Sequence, residues 1–531
     1  MPVGIPLTYR NPVIDADYSD PDVVRVGDEF WMVASSFNLA PGLPLLRSDD
    51  LVRWEHVTNV LPALAPRDHF DVPRHGGGVW APSLRHHDGR FHVVYPDPDH
   101  GIFVTTATDP RGDWTTPHRL LPGVGRIDPC PLWASDGRTF LVHGWAKSRA
   151  GFKNRLTVVE VSRDLTEVVG APRVVLDGDE IEGFHTLEGP KFYERDGWYW
   201  IFAPAGGVAT GWQTVFRARD PYGPYEHRVV LAQGDTAVNG PHQGAWVDTP
   251  DGEDWFLHFQ DRGPIGRVVH LQPMRWADDG WPRVGIAGRG GVIGQPVLTH
   301  PVPSVATRPG PARRLPYADD PFTGPLAPQW AWQANPRPEW SEGPAGGELD
   351  LRAVPDDDGD LRTLGHVLAQ RAPGQASTVE VGVDGAGLVA EGSRAGLVLL
   401  GRRYVWVGVE RTNGRLLPVI RTSGDAGASE QPVVVGEPVE GELRLRVRVD
   451  GTTSAEPAWS VDGVAWTGPA EPAALSPGHW TGTRVGLFAA APWGASRDGR
   501  ATFGELTVRL DDEDLPGAAG ETAEELVAVD R

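Results

Sequence analysis

Three acidic residues stand just before a proline, or one glycine away from it, at the entrance to an apolar or aromatic stretch. They are Asp20 in DADYSDPDVVRV, Asp128 in GRIDPCPLW and Glu188 in LEGPKFY. Proline lacks a backbone donor and biases its neighbour towards extended geometry, so a regular helix is a poor home for any of the three. Each is expected on a loop or at a strand end. Beyond Glu188 runs the aromatic stretch Trp198, Tyr199, Trp200, Ile201 and Phe202, and a carboxyl held against such a surface has a raised pKa. One such turn is ordinary. Three together supply what glycoside hydrolysis requires. One carboxyl must stay ionised, one must stay protonated, and a nearby like charge can hold the proton on the donor.

Bringing them together falls to a repeat. Turns with Asp and Gly recur at Gly27-Asp28, Asp88-Gly89, Asp136-Gly137, Asp196-Gly197 and Asp251-Gly252, each followed by an aromatic-rich strand such as GRFHVVYP or GWYWIFAPAG. Asp-Gly between alternating hydrophobic residues is a strong hairpin signal, because both turn positions need positive φ. Units of roughly fifty residues, each with several strands, are the pattern of a β-propeller. A second motif trails most units (RSDDLVRW, TATDPRGDW, VSRDLTEVV, RARDPYGPY) and fits outer strands with their exit turns. Five units predict five blades over about Asn11 to Gly294. The first strand of each blade starts near the central axis, so Asp20, Asp128 and Glu188, opening the first, third and fourth units, converge. The competing reading is a sandwich with coincidental hairpins, and it leaves their matching phase unexplained.

The full division expected is an all-β chain. Residues 1–296 form the propeller and 297–318 a Pro-rich linker without strand alternation. Residues 319–510 form a β-sandwich, and 511–531 an acidic, disordered tail. In the sandwich ELRLRVRVDG alternates, with Leu443, Leu445, Val447 and Val449 on one face, and Asn413-Gly414 and Asp462-Gly463 mark further turns.

A formal net charge of -22 with no basic run argues against nucleic acid as a partner. Tryptophan is unusually common at 21 residues; some belong to cores, and stacking on sugar faces is the other frequent use of a large flat side chain. The single cysteine, Cys130, excludes an intrachain disulfide and is read as buried and inert. No apolar run approaches membrane-spanning length and the start shows no signal-peptide pattern, so no membrane partner and a cytoplasmic location are expected. Oligomeric state is left open.

DYSDPDVVRVGDEFWMVASSF, GVWAPSLRHHDGRFHVVYP, IDPCPLW and EGPKFYERDGWYWIFAPAGG together resemble glycoside hydrolase family 43. NGPHQGAWVDTPDGEDWFLHFQDRGPIGRVVHLQPMRW is similar to its xylosidase/arabinofuranosidase branch. DDPFTGPLAPQWAWQANPRPEWS is similar to the concanavalin-like jelly roll that follows the propeller there. The resemblance implies an exo-acting, inverting hydrolase of small plant-wall oligosaccharides, releasing β-D-xylose or α-L-arabinofuranose. It implies Asp20 as general base, Asp128 as the residue that tunes and orients the acid, and Glu188 as general acid.

One departure concerns the base. Asp22 follows Asp20 by two residues and on a strand would share its face, giving two candidates, of which the pre-proline Asp20 is preferred. The resemblance also implies that His242, in GPHQG, helps hold an axial, largely hydrated Ca2+; a structural His bonded to backbone is equally expected. Candidates for the sugar pocket are Phe37, Trp80 and Arg267, with His185, Gln260 and His75 behind them. For Trp80 the alternative is blade packing, and for Arg267 a surface ion pair. Two other functions fit the same chain: a sugar-binding propeller without turnover, and a retaining fructan hydrolase. The second would place Glu beside Cys, where this chain has Glu-Gly-Pro.

Overall fold

A computed structural model of the chain describes residues 7–511 apart from 289–290, 292, 307–316, 357 and 496–498. Five antiparallel four-stranded sheets follow one another in sequence, and the fourth is extended by two short strands at its outer edge. Their first strands are Asp22–Val26, Ser83–His87, Arg126–Trp133, Lys191–Arg195 and His242–Asp248. This is a five-bladed propeller. Each of the five Asp/Gly turns joins the first strand of a blade to the second. At Asp88-Gly89 φ is 49 and 72, and at Asp196-Gly197 it is 52 and 69, the expected left-handed pair; at the other three turns only Gly27, Gly137 and Gly252 are left-handed, at 62, 88 and 83, because those loops are not two-residue turns with both positions at positive φ. The trailing motifs join third strands to fourth.

Blades bury both faces, so their inner strands read as continuous apolar runs rather than alternating ones. Phe30 to Val33 are all buried, as are Tyr199 to Ala205. The core lies in layers between successive blades. One layer sets Trp31, Val33 and Leu45 against Phe91 and Val93; another sets Trp200 and Phe202 against Phe256 and Trp281. The ring closes where Ile14 pairs with Val269 of the last blade. Arg25 then reaches across to Asp248 at 2.8 Å.

The expected linker differs from expectation. Thr299–Pro301 is a strand, paired antiparallel with Thr8–Arg10. Buried Tyr9 anchors that pair, its hydroxyl donating to the Leu271 carbonyl at 2.8 Å. Three residues are too short for alternation to show in sequence. Residues 307–316 of the linker, and the acidic tail from 512, lie outside the described residues.

The C-terminal part is a sandwich of two eight-stranded sheets. Leu443–Asp450 places Leu443, Leu445, Val447 and Val449 inward and leaves Arg444 and Arg448 exposed. Asn413-Gly414 is a tight hairpin, whereas Asp462-Gly463 turns the chain back so that Thr467 pairs with Trp459. Among the described residues no helix is long and apolar enough to cross a membrane.

The sandwich docks against the N-terminal arm and the loops of the first blade. Ala40 and Trp332 exchange both backbone hydrogen bonds. The Asp17 carboxylate accepts from the Gly482 N–H at 2.9 Å, and the Arg371 guanidinium lies 3.9 Å from the Tyr18 ring centre. This docking brings one sandwich loop over the open end of the propeller.

Candidate active site

Asp20 and Asp128 both adopt left-handed backbone, with φ of 57 and 55. Asp tolerates that region better than most residues. The conformation takes each carboxylate out of line with the strand beside it. In the third blade it breaks the ladder between Ile127 and Cys130, a bulge that aims Asp128 inward. Glu188 precedes Gly189, whose φ is 59 and whose missing Cβ leaves room for Gln243; a methyl there would stand 2.6 Å from Gln243 Cγ. The Gly189 N–H donates to Asp128 Oδ2 at 2.7 Å. The Glu-Gly-Pro sequence thus links the third and fourth blades at the level of their carboxyls.

All three carboxyls line one cavity of about 360 Å³. Asp20 accepts from Ser35 Oγ at 2.5 Å and stands 3.4 Å from an Arg267 guanidinium nitrogen. Burial pushes its pKa up, while Arg267 and Ser35 pull it down. Burial, and then the charge of Glu188, push Asp128 well above the usual carboxylate range. Glu188 keeps 23% of its side chain exposed, and its Oε1 lies 2.9 Å from His242 Nε2. Asp128 is thus the buried member of the pair and Glu188 the one open to the cavity.

Phe37, Trp80 and Arg267 line the same cavity. The Trp80 ring meets Phe37 edge to face at 6.5 Å, and the Arg149 guanidinium lies 5.3 Å from its centre. Three other candidates do not reach it. Gln260 donates to the Ala237 carbonyl and to Asn239, and its Oε1 pairs with His270, so it braces the fifth blade. The imidazole of His185 turns back to the Gly183 carbonyl and packs beside Trp212. His75 pairs with the Arg362 carbonyl of the sandwich at 2.8 Å. Asp22 is also removed. The strand begins only at Asp22, so the face-sharing expectation with Asp20 fails. Its buried carboxylate takes the Leu84 N–H and Arg85, with Lys191 at 3.6 Å. Cys130 is buried.

Trp480, Trp145, Lys147, Lys153, Thr186 and Gln243 also line the cavity and were not singled out from sequence. Gln243 adjoins His242 and was within reach of the same motif. Trp480 belongs to the sandwich and sits in left-handed backbone at φ 66, with its ring 6.4 Å from Trp80 and 5.6 Å from the Arg267 guanidinium. No strand pattern surrounds it, so only docking of the two domains reveals it. A larger cavity, about 530 Å³, lies by Trp340 and Trp493 and holds none of these carboxyls, so size alone does not mark the site.

His242 is fully buried, and its Nδ1 has no partner among the described residues. No group of three or more His, Cys, Asp or Glu side chains there could hold a metal ion directly. The donor set therefore fits an ion reached through water, and does not fit one chelated by side chains.

Residues 9–282 match the family described as glycosyl hydrolases family 43, and residues 319–509 match the β-xylosidase C-terminal concanavalin A-like domain. A putative β-xylosidase of Xylanibacter ruminicola is 37% identical, covering 91% of this chain and 86% of that protein. A non-reducing end α-L-arabinofuranosidase of Bacteroides ovatus is 30% identical over 65% of both. The solved structure of a xylan β-1,4-xylosidase from Bacillus halodurans superposes with a TM-score of 0.82 at 24% identity, over 94% of this chain and 100% of that one, a likeness of fold. With the catalytic-domain and sandwich matches spanning nearly all of the described residues, the chain belongs to glycosyl hydrolase family 43 and is a glycoside hydrolase.

Proposed function

We propose that the protein is an exo-acting, inverting glycosidase that removes terminal β-D-xylosyl or α-L-arabinofuranosyl units from plant-wall oligosaccharides. The observation that carries this reading is the cavity: three carboxyls from three blades form its floor, and Trp480 of the sandwich helps wall it. About 360 Å³ suits a terminal sugar and part of its neighbour. The relatives named as β-xylosidase and α-L-arabinofuranosidase support the two pentoses.

In this reading the Asp20 carboxylate takes a proton from water, which attacks the anomeric carbon from the face opposite the leaving group. Its raised pKa makes it a stronger base. Glu188 gives its proton to the glycosidic oxygen as that bond breaks. Asp128, buried behind it, keeps a proton on the pair, because two carboxylates in one dry site cannot both ionise readily. His242 occupies Oε1 of Glu188, leaving Oε2 to face the leaving oxygen. After bond cleavage Asp20 holds the proton and Glu188 is ionised; exchange with water restores both.

A hydrated Ca2+ would be held through water by His242 Nδ1. With Nδ1 accepting from such a water, the ring carries its N–H at Nε2, facing Glu188 Oε1.

Assays with p-nitrophenyl β-D-xyloside, p-nitrophenyl α-L-arabinofuranoside, xylobiose and sucrose test the reading. Release of pentose from p-nitrophenyl β-D-xyloside and xylobiose, or from p-nitrophenyl α-L-arabinofuranoside, with sucrose untouched, supports it. Turnover of sucrose alone, or of none of the four, overturns it.

A further inference from the structure

A second cavity of about 350 Å³ lies behind the wall formed by Phe37 and Trp480, between propeller and sandwich. The two cavities share a partition. Phe37 and Trp480 face the first, while their chain neighbours Asn38 and His479 line the second. Leu39, Ala369 and Leu400 give the second cavity apolar surface.

Arg484 lines it too, and is 6% exposed. Its guanidinium makes no hydrogen bond with the described residues. The nearest carboxylate, Asp17, stands 3.9 Å away and already accepts the backbone N–H groups of Arg267 and Gly482. Arg371 brings a second positive charge, and its Nε–H donates to the Asp17 carbonyl. Burial and Arg371 together push the Arg484 pKa down to about 9. Arg362, the other buried guanidinium on this cavity, is the contrast. It is fully engaged by Asp360, the carbonyls of Arg402 and Gly424, and Ser423. At the rim, Asp425 is held by Arg403. A buried cation with one distant, already satisfied counter-charge is costly unless an anion completes it.

We propose that this cavity binds a small monocarboxylate with an apolar body, its carboxylate paired with Arg484 and its body against Leu39 and Leu400. Arginine suits a planar carboxylate because both carry parallel donor and acceptor pairs.

Titration calorimetry on the full chain, at constant ionic strength, tests this with sodium benzoate, sodium acetate and sodium phosphate. Benzoate is expected to bind once per chain, at least about ten-fold more tightly than acetate or phosphate. Arg484→Met, which keeps the length and removes the charge, is expected to weaken benzoate at least about ten-fold. Ala426→Trp, at the exposed rim, narrows the cavity without touching the core and is expected to do the same. No binding of benzoate, phosphate bound as tightly as benzoate, or benzoate affinity unchanged in Ala426→Trp or in a folded Arg484→Met would each overturn the proposal. Calorimetry does not depend on turnover, so this outcome is separate from that of the glycosidase assays.

Discussion

The floor and the wall of the active-site cavity come from different domains and are built in opposite ways. The floor is charged, buried and over-determined. Asp20 is held by Ser35 and Arg267, Asp128 by the Gly189 N–H, and Glu188 by His242. The wall contributed by the sandwich is a single indole, Trp480, 46% exposed and carried on a loop. Groups that change protonation must be fixed in place, since a small misplacement costs much of the rate. A group that only covers a sugar face can be looser. The floor should therefore govern the chemical step, and the wall should govern binding.

The largest expected effect is at the floor. Glu188→Gln should lower kcat on xylobiose by about a thousand-fold or more, and less on p-nitrophenyl glycosides, whose leaving group needs little protonation. Asp20→Asn should lower kcat similarly on both, since activation of water does not depend on the leaving group. Steady-state kinetics on the two substrates separates the pair; equal losses for Glu188→Gln would break the assignment.

Next comes His242→Ala, which frees Oε1 of Glu188 and should lower kcat by about ten- to a hundred-fold. Comparing its kcat with that of Glu188→Gln sharpens the claim that His242 acts through Glu188.

Arg267→Met should act through pH. Arg267 lowers the pKa of Asp20, so its loss raises that pKa. The base works when ionised, so the low-pH limb of kcat/KM should move to higher pH. A profile over about pH 4 to 8 reads this, and a shift to lower pH would contradict it.

The smallest effect should be at the wall. Trp480→Ala should raise KM about ten-fold and leave kcat within a few-fold, with little change in Tm because the residue is half exposed. A collapse of kcat would erase the distinction between floor and wall.

The same distinction governs what could be read from sequence. Blade units were legible because each hairpin places a glycine at positive φ and an aspartate beside it in the turn. The phase of three acidic-proline turns then located the floor. Trp480 was hidden because nothing local encodes which loop of one domain meets the other. Gln260 and His185 misled for the converse reason: polar residues beside the right motifs are as often used to brace a blade or a turn. The strand Thr299–Pro301 escaped notice because three residues are too few to show a period.

The central claim is that Asp20 activates water while Glu188 protonates the leaving group across the same sugar. Proton NMR of the first product from p-nitrophenyl β-D-xyloside, recorded before mutarotation, tests it most directly. α-Xylose is expected first, with β-xylose growing in later. β-Xylose appearing first would contradict it, and would require one of the carboxyls on the floor to be a nucleophile instead.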